Sequence, residues 1–202
     1  MKTESIKDIM ELNFGIKDEY SQQEFNTITE LNINRFDAVG ELVPIDFNEL
    51  SLFNNLQNLT IKQCIIDKDI MIIISRLNNL KYLSLDDCEV VDDISLFFEN
   101  IKLDTLVLNN INFDLLELEK INVNNLYLYN TSLNKDINFN VLKLDVSNCT
   151  IAENININCS GVETLVISMS MYRNLDKELN NFYGHLVVME ENGQYIKEER
   201  DI

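Results

Sequence analysis

The feature that most constrains this chain is a repeat. Leucines 31, 59, 83, 106, 126, 144 and 165 all sit in one local pattern, apolar-x-x-Leu-x-apolar-x-x-(Asn, Cys, Thr or apolar)-x-apolar. Two copies are Leu80-Lys-Tyr-Leu83-Ser-Leu85-Asp-Asp-Cys88-Glu-Val90 and Val123-Asn-Asn-Leu126-Tyr-Leu128-Tyr-Asn-Thr131-Ser-Leu133. Successive leucines are 28, 24, 23, 20, 18 and 21 residues apart. Alternation with period two inside each copy belongs to a strand. Leu31 and Ile33, or Leu126 and Leu128, therefore face one interior while the residue between them faces away. The few apolar side chains of one copy cannot offset the entropy of ordering its backbone, so copies must stack and share a core. The 202 residues then read as one elongated domain of about seven or eight rungs rather than one rounded core.

Over residues 28–172 this pattern and its period resemble the leucine-rich repeat family. The resemblance implies an α/β fold: a right-handed horseshoe solenoid with a parallel concave sheet of about seven or eight strands. Short helices and irregular returns would form its convex side. The spacer Glu89-Val90-Val91-Asp92-Asp93-Ile94-Ser95-Leu96 is similar to the Asn-x-Ile-x-Asp-Ile-x-x-Leu section of the bacterial internalin-like subgroup. The Asn-, Ile- and Lys-rich vocabulary suits a bacterium of low genomic GC.

The segments between strands differ along the chain. Ile66, Ile70, Ile73, Ile74, Leu77 and Leu80 recur near helical spacing and predict a helix of two or three turns. Asp92–Asn100 and Asp114–Glu119 are shorter helical candidates. The returns 134–140 and 152–161 are too short for a proper helix and should be extended or irregular. Open ends of such a stack need covering. Residues 1–27, with Ile6, Ile9 and Met10, predict an N-terminal helical cap. Residues 173–202 predict a C-terminal cap: a last helix over Leu175–Phe182, a degenerate eighth strand at His185–Met189, and a hairpin through Asn192-Gly193. The charged tail from Lys197 to Asp201 would discourage further pairing.

Charge and composition remove several function classes. With 16 Lys+Arg against 34 Asp+Glu the formal net charge is -18, which opposes phosphate backbones and anionic membranes and leaves basic partners open. One His, no Trp and 5 Gly leave little for acid–base chemistry or phosphate-cradling loops, so no cofactor is expected. No apolar run approaches the roughly 20 residues that span a bilayer. The N-terminus mixes both charge signs without an apolar stretch, which predicts a cytoplasmic protein.

Four cysteines invite a metal or disulfide reading, but none forms a Cys-x-x-Cys pair. Cys64, Cys88 and Cys149 fall at the inward bend of their copies and read as buried, reduced thiols. Cys159 has no readable role. Asp86, Asp87, Glu89, Asp92 and Asp93 lack the spacing of a calcium loop and read as solvated charge. His185 has no nucleophile partner, so no catalytic residue is expected.

Binding is best sought on the strand positions that face away from the core, where neighbouring strands about 4.8 Å apart align side chains into rows. The middle row reads Asn32, Thr60, Ser84, Val107, Tyr127, Asp145, Val166, and the next Asn34, Lys62, Asp86, Asn109, Tyr129, Ser147, Ser168. Tyr82 lies in the row before. Aromatics ringed by small polar groups have hot-spot composition, although tyrosine also simply favours strands. The expectation is a monomeric, non-catalytic module that binds a protein partner. Tyr82, Val107, Tyr127 and Tyr129 would be anchors, with Asp86, Asp87 and Asp145 favouring a basic partner. Two rival readings are an acidic inhibitor or immunity protein that occludes a basic toxin or nuclease, and a secreted adhesion module.

Overall fold

Strands form at every copy of the pattern, because alternating Leu, Ile and Val suit a pleated, half-buried surface. The computed structural model describes residues 6, 10–11, 14–34, 46–112, 118–134, 136–152, 157–159, 161–174, 182–190 and 195–198. In chain order the strands are β1 (Glu30–Asn34), β2 (Asn58–Lys62), β3 (Ile65–Ile66), β4 (Tyr82–Asp86), β5 (Glu89–Val90) and β6 (Thr105–Asn109). They continue as β7 (Asn125–Leu133), β8 (Ile137–Asn138), β9 (Lys143–Ile151), β10 (Ile157–Asn158), β11 (Thr164–Ser168), β12 (His185–Met189) and β13 (Tyr195–Glu198). The protein is mixed α/β, with one large sheet in the order β1-β2-β4-β6-β7-β9-β11-β12-β13. The first eight of these strands are parallel, and β13 closes the far edge antiparallel to β12.

Register matches the pattern. Leu31, Leu59, Leu83, Leu106, Leu126, Leu144, Leu165 and Leu186 stand side by side across the sheet. None is more than 2% exposed. The apolar residues two positions on, from Ile33 to Val188, are equally buried, and one continuous core runs from Ile6 to Val188.

The returns shrink as the steps between leucines do. Among the described helices, α1 (Gln22–Phe25) precedes the sheet, and α2 (Lys68–Ser75) follows the short strand β3. Asp67 starts α2 by accepting a hydrogen bond from the Ile70 amide at 2.9 Å, and Met71 and Ile74 bury its inner side. The next return holds the six-residue α3 (Ser95–Asn100), anchored by fully buried Ile94 and Phe98. Of the helix expected over Asp114–Glu119, only a single 3₁₀ turn at Leu118–Lys120 lies among described residues. Beyond it the described parts of the returns before β9 and β11 are extended, as expected. β7 and β9 run nine residues each through the bend, and β8 and β10 pair in parallel behind them.

Ile6, Met10, Glu11 and Phe14 are helical, with Met10 fully buried, while Ile9 lies outside the described residues. The last helix α4 (Met169–Asn174) directly follows β11. Residues 175–181 of the expected terminal helix and the Asn192-Gly193 turn lie outside the described residues. The pairing of Leu186 with Glu198 and of Met189 with Tyr195 matches the expected hairpin. No helix among the described residues is long and apolar enough to cross a membrane.

Candidate functional site: the polar face of the sheet

Three rows of side chains occupy the face opposite the leucines. Row one is Glu30, Asn58, Tyr82, Thr105, Asn125, Lys143, Thr164 and His185. Row two is Asn32, Thr60, Ser84, Val107, Tyr127, Asp145, Val166 and Val187. Along row two the chemistry changes at β6, from Asn, Thr and Ser to Val, Tyr, Asp, Val and Val. Row three starts as expected with Asn34, Lys62, Asp86, Asn109 and Tyr129. It then breaks: Tyr127 pairs with Asp145, but Tyr129 pairs with Asn148 rather than sitting beside Ser147. The extra residue is a bulge in β9, compensated by a second irregularity in β7 before Ser132 meets Thr150.

The seven candidate residues divide accordingly. Tyr82, Val107, Tyr127 and Tyr129 are half-buried on this face. The rings of Tyr127 and Tyr129 lie 6.1 Å apart with a 44° tilt, and the Lys143 ammonium sits 5.2 Å from the centroid of Tyr127. Asp86 is neutralised within the face: Lys62 Nζ approaches its Oδ2 to 2.7 Å, and Asn109 Nδ2 donates to its Oδ1 at 2.6 Å. Asp87 is not on the face but at the bend after β4, where Asn110 Nδ2 donates to it at 2.6 Å. Asp145, expected as an exposed attraction for a basic partner, is only 9% exposed. Its Oδ1 accepts from the Ser147 amide at 3.0 Å and the Ser147 hydroxyl at 2.7 Å, while Tyr129 Oη donates to Oδ2 at 3.3 Å.

Glu30, Asp86 and Asp145 against Lys62 and Lys143 leave only -1 on the three rows of the eight parallel strands, out of -18 for the chain. The acidity expected on this face is carried elsewhere, because on the described strands most outward positions hold Asn, Thr, Ser, Tyr and Val.

Sequence reasoning missed the polar residues of the bend. Gln63, Asp87, Asn110 and Asn130 adopt φ of 55°, 56°, 52° and 51°, a left-handed conformation without glycine. Amides tie the bends together: Gln63 N donates to Asp86 O, Asp87 N to Asn109 O and Asn110 N to Tyr129 O, each at 2.9 Å. Asn130 Nδ2 donates to Asn109 Oδ1 at 2.7 Å, and these residues line an open polar cleft of about 530 Å³. Recurrence of Asn, Asp or Gln five residues after the first strand position was the available signal. Lys143 was missed too, although its place directly before Leu144 puts it in the row of Tyr82.

The bend also explains the thiols. Cys88 Sγ faces Ile61 O at 3.4 Å and Cys149 Sγ faces Leu128 O at 3.1 Å, each a carbonyl of the preceding rung. Thr131, at the equivalent position, donates from Oγ1 instead to the carbonyl of the preceding bend, Ile111 O, at 3.0 Å. None of the four cysteines is in a disulfide. Burial pushes the Cys149 thiol up to about 12, and Cys88 is shifted the same way. These are structural groups rather than nucleophiles. In the acidic stretch, Asp92 pairs loosely with Lys68, and hydrogen bonds from Ser95 hold Asp93 below the usual carboxylate range. Among the described residues no three metal-ligating side chains converge, and His185 is exposed at the start of β12. No family model matches the chain, and no curated protein matches it.

Proposed function

We propose that this chain is a non-catalytic interaction module of leucine-rich repeat type that binds a protein partner through the polar face of its sheet. Sequential parallel strands in register, with returns that shorten as the repeat does, support the solenoid reading. The observation that carries the functional reading is the Tyr127–Tyr129 pair, braced by Lys143 and Asp145 beside half-buried Val107. Pre-braced aromatics lose little entropy on binding, which is the property of an interface anchor. Tyr82 extends the patch along the neighbouring strand β4. The near-neutral face takes support away from a broad acidic field aimed at a basic toxin. Four cysteines outside any disulfide, three of them buried, support a reducing, cytosolic setting.

The test compares quantitative capture from source-organism lysate by wild type, by Tyr127→Ala/Tyr129→Ala, and by a return-side control, Ile72→Ser. A partner should be lost from the double variant and kept by the control, with all three proteins folded by circular dichroism. Equal recovery by wild type and the double variant would move the binding site off this face.

A further inference from the structure

A single side chain is out of balance on an otherwise settled surface. Lys62 and Asp86 pair with each other, Lys143 lies over Tyr127, and Glu30 is exposed at the first strand of the sheet. Asp145 alone combines burial with lack of a cation: no Lys or Arg among the described residues forms an ion pair with it. Its neighbours along the row are Tyr127 and the 6% exposed Val166. A carboxylate held there by neutral donors costs stability that Asn or Ser would not.

The two oxygens differ. Oδ1 takes two short hydrogen bonds from Ser147, whereas Oδ2 takes one long one from Tyr129. A carboxylate oxygen can accept twice, so Oδ2 has capacity for another donor. Ser147 lies in the β9 bulge, between the paired residues Asp145 and Asn148, and both of its hydrogen bonds go to Oδ1. The Tyr129 hydroxyl touches the under-used oxygen, Tyr127 is the direct cross-strand partner of Asp145, and Lys143 already shows that Tyr127 accommodates a cation.

We propose that Asp145 is the receptor for one arginine of the protein partner, its guanidinium donating to Oδ2 and stacking on Tyr127 or Tyr129, its stem lying on Val166. Arginine fits better than lysine because a planar, weakly hydrated fork can stack and donate together. This deepens the function proposed above and rests on that docking surface. It replaces attraction by the whole chain's -18 with a single desolvated pair, which would bring the face to neutrality.

The probe is a random dodecapeptide library displayed on phage, selected on the full chain and counter-selected on Tyr127→Ala/Tyr129→Ala. Enriched peptides should share one arginine flanked by apolar residues. Synthetic peptide binding should fall about 30-fold or more on Asp145→Asn, and as much when the peptide arginine is replaced by citrulline, which leaves the protein untouched. Raising salt should weaken binding only modestly, since a desolvated pair is poorly screened. Asp145→Asn should melt at or above the wild-type temperature, because it removes a buried charge without a counter-ion. Face-dependent peptides that lack arginine, or that tolerate citrulline, would overturn the arginine assignment and leave the docking surface standing. Failure to enrich any peptide on wild type over the double variant would overturn both.

Discussion

Cys149 offers a prediction whose size follows from its surroundings. The thiol is 7% exposed and directed at the Leu128 carbonyl, and desolvation raises its pKa from 9.0 to about 12. Below the unfolded value both states hold the proton and the native state keeps its full stability. Above it the unfolded chain ionises while the folded thiol does not, so stability is lost as pH rises across the window from about 9 to about 12. The slope approaches about 1.4 kcal/mol per pH unit, for a total of about 4 kcal/mol. Between about pH 8 and about pH 10 the loss from this thiol alone should be about 1.4 kcal/mol. Cys159, also pushed up to about 12, titrates in the same window, so a single protein cannot isolate the effect. Cys149→Ser can, because serine keeps a small donor facing Leu128 O and does not ionise there. Urea unfolding of both proteins at both pH values gives the double difference. Parallel losses in the two proteins would refute the argument that desolvation of this thiol couples folding to pH.

Three further outcomes test the architecture. Leu126→Ala removes a fully buried side chain between Leu106 and Leu144 and should cost about 3–5 kcal/mol in urea unfolding; a loss under about 1 kcal/mol would mean that the row is not packed. Asp67→Ala deletes the cap on the Ile70 amide and should cost about 1 kcal/mol, with little change in strand signal by circular dichroism. Gly184→Ala would place a methyl group 2.6 Å from Glu163 O and from the Phe182 ring, and 2.9 Å from Val162 O. Two of these contacts are backbone of the neighbouring rung, so the substitution should lower the melting temperature by several degrees, about 1–3 kcal/mol.

Much of the fold was legible because burial follows a local rule. Alternation put each leucine of the row inside, the bend position selected Cys64, Cys88 and Cys149 for burial, and the shrinking steps forecast helices early in the chain and extended returns later. These are properties of a residue and its near neighbours, and a sheet of parallel strands in register repeats them strand after strand. The site was legible in part: six of the seven candidate residues stand on one face, row two follows the sequence throughout, and row three follows it as far as Tyr129. What failed were statements about pairs of rungs. Ser147 left its row, Asp145 was enclosed by Tyr129 and Ser147, and Asp86 was neutralised by Lys62, a residue 24 positions earlier. The -18 charge was known from the first, but not which side of the sheet bears it.

The sequence by itself determined which residues of each strand would be inside, since a period-two pattern leaves a strand one way to bury its leucine. Only the tertiary structure decided the character of the surface. Ion pairs, ring contacts and a one-residue bulge arise between side chains some twenty residues apart, where rotamers and register, rather than periodicity, set which groups meet.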